Sequence, residues 1–406
     1  MNKDRKHIVF LARWYPHRYD PMFGLFVQRH AEAAAIYNDV TVIYCQQATD
    51  NEQQTSSTEN QSTVGTYRIR PFEIVRTSEN NVDTIRIYYK KPKNKILSLL
   101  RFYRANMIGL RLCKSLVETQ GRVSKKIDMI HVHILTRLGV IAWIQKILHG
   151  TPYIITEHWS RYLPGNDFGG FFRKLFTKIV VRNAKTVTVV TENLGNAMKA
   201  HGLRNDNYVV LPNVVNLDMF HINRSDVSHT STKIIHISCF EDKSKNISGL
   251  LESLKIVEER GIDFQCTLIG DGMDFDMMMM KAEELHLINK VCFTGLLEGQ
   301  KLADELASGD FLVLSSNYEN MPVVILEALA SGLPVVSTNV GGIKEMIDET
   351  KGILVEPRNK EALAEAIIKM IETHKNYDAN YLRNSVIAKY GYESVGRFLD
   401  SIYNLQ

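Results

Sequence analysis

The stretch Ser315–Gly342, SSNYENMPVVILEALASGLPVVSTNVGG, decides how the rest of the chain reads. Before it, Phe311-Leu312-Val313-Leu314 is an apolar run of strand length, and within it Pro334-Val335-Val336-Ser337 begins another. Pro322 stands where a helix's first turn would begin. Its fixed φ suits that position, and its missing N–H would go unbonded there anyway. A helix from Pro322 to Ala330, closed by Gly332, gives strand–loop–helix–strand. Asn320, Met321 and Pro322 then fall beside a helix N-terminus, where free N–H groups and the dipole favour an anion.

Two glutamates mark this unit, Glu319 in the loop and Glu327 in the helix. Eight helical residues span roughly 12 Å at 1.5 Å each. Two carboxylates flanking one glycosidic bond stand roughly 5 to 9.5 Å apart. The pair therefore reads as contacts at opposite ends of one elongated ligand, with the helix N-terminus between them suited to phosphates. The plain alternative is two solvated surface glutamates at a chance spacing.

The block from Glu319 to Val336 resembles the Glu-x7-Glu signature of the retaining, nucleotide-sugar-dependent glycosyltransferases of family 4. The similarity covers most of the chain and is strongest from Pro212 to Pro357. It implies an α/β protein of the GT-B fold: two Rossmann-like parallel-sheet domains facing across a cleft, with a C-terminal helix crossing back to the first. The expected division is 1–212 for the acceptor-side domain, 213–232 for a linker, 233–375 for the donor-binding domain and 376–406 for a helical tail packing on the first domain.

Composition agrees with that picture. A chain of 406 residues exceeds what one core commonly serves, so two domains are expected. Hydrophobic residues at 45% and charged ones at 23% are those of an ordinary globular protein. A net charge of +4 argues against a dedicated nucleic-acid binder. Five scattered cysteines form no Cys-x-x-Cys pair, so neither a zinc site nor a disulfide framework is suggested. Free thiols in a reducing compartment fit them. The first apolar run ends at Arg13, too soon for a signal peptide, and no run reaches the roughly 18 residues of a membrane span. The expectation is a cytoplasmic protein whose membrane contact, if any, is peripheral.

Outside the opening stretch the chain alternates strand and helix. His7–Ala12 and Asp39–Cys45 read as strands around a helix at Gln28–Tyr37, the opening of a βαβ unit. Arg13–Gly24 is the loop at the first strand's carboxyl end, where open α/β sheets bind ligands. No Gly-x-Gly-x-x-Gly follows that strand, which argues against a dinucleotide-dependent dehydrogenase. Asp50–Thr63 reads as a polar low-complexity loop. Tyr67–Phe72, Thr84–Tyr89, Ile127–His133, Tyr153–Thr156 and Lys185–Val190 are further strands. Lys90–Leu116 is a basic amphipathic helix with two readings: contact with an anionic membrane surface, or a sheet-covering helix with a solvated basic face. The second domain repeats the alternation with strands at Ile234–Ser238, Gln265–Ile269, Val291–Thr294, Phe311–Leu314, Val335–Thr338 and Ile353–Val355.

The resemblance assigns roles residue by residue. Relatives neutralise the leaving diphosphate with Arg-x4-Lys after the second domain's first strand. Here Lys245 matches the lysine but Phe240 occupies the arginine's place, leaving Lys243 as a candidate helper. Glu327 matches the ribose contact. Glu319 matches a group near the donor sugar, with the backbone of Asn320, Met321, Pro322 and Val323 near its hydroxyls and phosphates. Gly24 and Gly270 are candidates for close backbone approach to the donor, or ordinary turn glycines. His158, after a strand end and beside Trp159, matches a group that orients the donor sugar, against the alternative of a satisfied loop histidine. Catalytic roles thus fall on His158, Glu319 and Lys245. Asp274-Phe275-Asp276 has the form of a metal motif but sits where acidic residues suit a helix start, so no obligatory metal or other cofactor is expected.

The implied activity is retaining transfer of a hexose or N-acetylhexosamine to a glycan acceptor, in family habit a lipid-linked one of cell-surface polysaccharide synthesis. A UDP-sugar donor is favoured over a GDP-sugar. The alternatives are a UDP-sugar epimerase of the same fold and a catalytically inactive nucleotide-sugar-binding subunit.

Overall fold

The computed structural model describes residues 5–48, 63–119, 126–164, 168–222 and 231–405. Nearly all of the loop read at Asp50–Thr63, and residues 223–230 of the linker, lie outside these. The chain divides into two compact units. Unit 1 runs to Val190 and takes in Gly195–Val214 and the chain end from Tyr392; unit 2 holds Thr191–Leu194 and Val215–Gly391.

In chain order the first half comprises β1 (His7–Ala12), α1 (Leu25–Ala35), β2 (Asp39–Ala48), β3 (Thr63–Ile69), β4 (Phe72–Glu79) and β5 (Val82–Lys90). There follow α2 (Lys95–Thr119), β6 (Met129–His133), α3 (Thr136–His149), β7 (Tyr153–Glu157), α4 (Phe171–Asn183), β8 (Thr186–Val189), α5 (Glu192–Ala200) and β9 (Tyr208–Val210). The sheet of unit 1 has the order β3-β4-β5-β2-β1-β6-β7-β8-β9. Its strands are parallel except β4, which is antiparallel to both neighbours. The parallel sheet expected of a Rossmann-like domain is present, with antiparallel β4 added to it in the hairpin at its edge. Phe72 closes no strand but opens β4, where buried Phe72 and Ile74 alternate with half-buried Glu73 and Val75. A period-two pattern carrying charge on its outer face suits the edge hairpin it forms.

The second half comprises β10 (Thr232–Ile237), α6 (Asp242–Lys245), α7 (Ile247–Glu259), β11 (Phe264–Ile269), α8 (Phe275–Glu284), β12 (Val291–Gly295) and α9 (Gly299–Ala307). Then come β13 (Phe311–Leu314), α10 (Val323–Ala330), β14 (Val335–Thr338), β15 (Gly352–Val355), α11 (Lys360–Thr373), α12 (Ala379–Tyr390) and α13 (Tyr392–Asn404). Unit 2 holds a fully parallel sheet of order β12-β11-β10-β13-β14-β15. All four residues of β13, Phe-Leu-Val-Leu, are buried, as expected of a strand covered on both faces. Side chains of α7, α8 and α11 fill one core layer, among them Leu250, Leu254, Met278, Leu363 and Ile367.

The helical tail does not behave as one piece. Its first helix, α12, stays with unit 2, where Arg383 donates to the carbonyls of Leu217, Phe220 and Ala330. Only α13 belongs to unit 1. It packs on α1 through small residues: a Cβ on Gly396 would stand 2.3 Å from the Ala33 carbonyl oxygen, so the two helices lie closer than any side chain there permits. Tyr403 completes the junction, its hydroxyl bonded to His131 Nδ1 at 2.8 Å. Gly396→Val should therefore lower the stability of unit 1 by about 1–3 kcal/mol through overpacking. Urea unfolding followed by tryptophan fluorescence reads this directly, and an unchanged midpoint would show that the α1–α13 seam is loose.

Candidate active site

The strand order of unit 2 reverses at β10. The chain moves outward through β11 and β12, then returns to β13 on the other flank of β10. In an open α/β sheet, the crevice beyond the carboxyl ends at such a reversal is where ligands bind. The two loops leaving β10 and β13 are laced together there. Ser315 Oγ donates to the Lys245 carbonyl at 2.9 Å, Asn246 Nδ2 to the Ser315 carbonyl at 3.2 Å, and the Asn317 N–H to the Ser244 carbonyl at 2.8 Å. Asn246 has a φ of 52°, in the left-handed region that asparagine tolerates, and it forms the joint between α6 and α7.

This lacing brings Lys245 Nζ to 2.6 Å from Glu319 Oε1, which also accepts from Ser316 Oγ at 2.8 Å. The side chains are 18% and 11% exposed. Burial weighs against the Lys245 ammonium, but the charge of Glu319 and its hydrogen bond prevail, and the pKa is raised. The site thus holds a fixed cation beside the start of α10. That helix begins at Val323, with Pro322 as its cap rather than its first helical residue: ψ at Pro322 is 117°, the extended value of a capping position. Met321 and Glu327 are buried and Asn320 is half-buried. The Asn320 carbonyl accepts from the Gly342 N–H at 3.1 Å. Gly341, at φ 59°, would place a Cβ 1.8 Å from the Glu319 carbonyl oxygen, so only glycine lets the loop after β14 support Glu319 from behind. Lys243 is exposed, its carbonyl held by Asn317 Nδ2, and the structure does not bring its side chain into the Lys245–Glu319 pair.

In unit 1 the corresponding reversal lies between β1 and β6. Beyond it sits a cluster of buried imidazoles, of which the sequence reading named only His158. His131 and His133, two apart on β6, share a face and flank Phe10 with centroids 4.6 Å away, His131 edge-on and His133 stacked. His133 Nδ1 lies 3.3 Å from His158 Nε2, and His30 completes the group with its Nε2 on the Pro212 carbonyl at 2.8 Å. A carbonyl can only accept, so a proton of His30 sits on Nε2. Burial lowers the pKa of His30 to about 4 and those of His131, His133 and His158 well below the usual value. Glu157, also missed, is the organiser of this edge. It ends β7, and its carboxylate accepts from the backbone N–H groups of Leu135, His158 and Trp159 at 2.9–3.1 Å.

Two sequence models match the chain. One described as a glycosyl transferase 4-like domain covers residues 63–214, and one described as glycosyl transferases group 1 covers residues 220–385. The chain belongs to the group 1 glycosyltransferases of family 4 type. Among its relatives, the N-acetyl-α-D-glucosaminyl L-malate synthase of Bacillus anthracis is 27% identical over 309 residues, covering 72% of this chain and 78% of that one. Among solved structures, the sucrose-phosphate synthase of Thermosynechococcus elongatus superposes with a TM-score of 0.74 at 19% identity over 98% of both chains. The Anabaena protein HepE, solved in complex with UDP, gives 0.68 at 17% identity over 97% of this chain and 98% of its own. The fold is therefore GT-B.

Other positions of this glycosyltransferase resolve differently from the sequence reading. Phe240, in the arginine's place, does not face the site at all. It is fully buried, in the core between Phe275 and Phe293 at centroid distances of 5.0 and 6.1 Å. Gly270, at φ 138°, would place a Cβ 1.8 Å from the Ser238 carbonyl oxygen, so it lets the loops after β10 and β11 touch. Gly24, at φ 71°, abuts the backbone of Trp14 and Tyr15 in the same way, which makes the loop's own packing reason enough for a glycine. Asp274 uses its carboxylate to accept the Asp242 N–H at 2.8 Å. Among the described residues, only His30, His133 and His158 form a set of three or more potential metal ligands, with donor atoms within 4.8 Å of one another.

Two outcomes follow from this geometry. Phe240→Arg should not restore a phosphate contact; it should cost about 3–5 kcal/mol by emptying an aromatic site and burying a cation. A stable variant with faster turnover would refute that placement. The histidines also set a pH dependence. Between pH 6.5 and 4 the unfolded chain protonates His30 while the folded chain does not, so stability is full above 6.5 and is lost as pH falls. Each such proton contributes about 1.4 kcal/mol per pH unit. His30→Gln should flatten the urea midpoint's fall between pH 7 and 5; an unaltered slope would mean that His30 titrates normally.

Proposed function

We propose that this chain is a retaining transferase that moves a hexose or N-acetylhexosamine from a UDP-sugar to a saccharide acceptor, without an obligatory metal. The observation that carries this reading is the Lys245–Glu319 pair at the strand reversal of unit 2, beside the first turn of α10. Lys245 and the helix N-terminus supply fixed positive charge for a diphosphate as its bond to the anomeric carbon breaks and it takes the electron pair. The acceptor hydroxyl forms the new bond on the same face, and its proton passes to the departing phosphate oxygen. Glu327 binds the ribose hydroxyls, and the backbone from Asn320 to Val323 lies along the sugar and phosphates. Glu319 orients the donor sugar once a ligand anion shares Lys245. His158, held neutral, orients a sugar hydroxyl and takes no proton. UDP is favoured because HepE, a structural neighbour, was solved with UDP. A lipid-linked acceptor and a peripheral position at the cytoplasmic face of a membrane complete the proposal; among the described residues no helix is long and apolar enough to cross one.

The test is a thermal-shift and turnover panel of UDP, GDP, ADP and their common sugars, with EDTA included. UDP should raise the melting temperature most, because a ligand bound to the folded state stabilises it. Glu327→Gln should raise the donor KM, and EDTA should leave the rate unchanged. A shift without turnover would favour the inactive nucleotide-sugar-binding subunit, no shift with any nucleotide would overturn the donor site, and manganese-dependent recovery from EDTA would overturn the metal-free mechanism.

A further inference from the structure

Unit 1 carries a cleft of about 570 Å³ that the chemistry above does not use. It lies at the carboxyl edge of the sheet. Arg13 follows β1, Arg137 stands in the first turn of α3, and Trp159 follows β7. Its outer wall is Leu99 of α2 with Phe172, Arg173 and Phe176 of α4.

The charge in this cleft is unbalanced. No aspartate or glutamate is among its lining residues, and none of Arg13, Arg137 and Arg173 has a carboxylate ion pair among the described residues. Burial and the neighbouring guanidinium of Arg137 both weigh against the charge on Arg13, and the weak acids Tyr44, Tyr89 and Cys45 favour it. Guanidinium groups held together without a counter-ion suit a doubly charged, multi-oxygen anion such as a phosphate.

The apolar side is equally unpartnered. Phe171 and Phe172 are 76% and 72% exposed, and Leu175 and Phe176 extend the same helix surface. On α2, Leu99 lines the cleft, and Ile96, Leu97 and Leu100 are also exposed on that helix's first turns. Exposed apolar side chains gathered at a cleft, as Leu99, Phe172 and Phe176 are here, mark an interaction site. Basic residues interleave it on α4, at Arg173 and Lys174, as on surfaces that meet anionic amphiphiles.

We infer that this cleft binds the acceptor's anionic, lipid-borne end: a phosphate ester held by Arg13, Arg137 and Arg173, with its hydrocarbon chain laid over Phe172, Phe176 and Leu99. The inference rests on the transferase reading for the word acceptor, but the site itself stands on the charge and the apolar wall alone. The cleft is large enough for a phosphate and the first segment of an alkyl or prenyl chain, being within the roughly 300–1,000 Å³ of small-molecule sites.

The probe is decyl phosphate below its micelle concentration, titrated into the full chain by calorimetry, with decyl glucoside and inorganic phosphate as controls. Decyl phosphate should bind saturably and at least tenfold tighter than either control. Arg137→Glu should weaken it at least tenfold while leaving the UDP-induced thermal shift intact, and Phe172→Ser should weaken it without altering the affinity for inorganic phosphate. Equal binding of decyl glucoside would reduce the cleft to an apolar groove. Equal binding of inorganic phosphate would make it a free-phosphate site, and an unaffected Arg137→Glu would place the ligand elsewhere; each overturns the proposal. Loss of nucleotide stabilisation with decyl phosphate binding intact would instead sink the donor reading alone.

Discussion

Parallel strands end side by side, and the loops that leave them must satisfy each other's backbone groups. At β10 and β13 this requirement is met by side chains of Ser315, Asn246 and Asn317 reaching carbonyls of the opposite loop. Thr338, at the end of β14, adds a bond of 2.6 Å to the Ser316 carbonyl. The positions of Lys245 and Glu319 follow from this mesh, because each sits on a loop with few remaining ways to move. A buried polar network of this sort is costly when half satisfied and rigid when complete. Gly341 belongs to the same construction: it contributes no chemistry, only room for a third loop to close behind Glu319.

Unit 1 solves the same geometric problem with different materials. Its strand ends carry imidazoles and aromatic rings, and a single buried carboxylate, Glu157, gathers three backbone N–H groups that would otherwise be orphaned. Burial raises the pKa of Glu157 although those bonds and Arg161 pull the other way. His131 is fixed at both nitrogens, by Tyr403 and Thr156. The last helix of the chain is thereby tied to the middle of the sheet, which links α13 to the group that carries His158.

The alternation of strands and helices was legible because buried parallel strands are short, continuous apolar runs; β1 and β13 were read to the residue. The edge hairpin was not, because β4 keeps charges on its solvent face and lacks such a run. Glu327 and Lys245 were legible from a motif, yet their surroundings were not. Phe240 shows why: sequence spacing gives position along the chain but not the direction of a side chain, and this one turns into the core. The histidine cluster left a trace in Ile130-His131-Val132-His133, where a two-residue spacing puts both rings on one face. His30 and His158, from distant segments, could join them only through the fold. The arginine cleft left no trace, since its residues come from five separate loops and helices.

The Lys245–Glu319 pair bears on how a donor would enter. Holding two charges at partial burial costs desolvation that their attraction only partly offsets, so such a pair adds little to stability by itself. Its value lies in what it has already expended. On the proposed reading, a diphosphate at Lys245 would replace or share one anion with another, and the lysine would need no further dehydration or ordering. The glutamate, once released, is left beside Ser316 with an oxygen free to accept from a sugar hydroxyl. On that proposal binding and orientation would be one event, in which the anion that frees Glu319 also delivers the hydroxyl that Glu319 can hold.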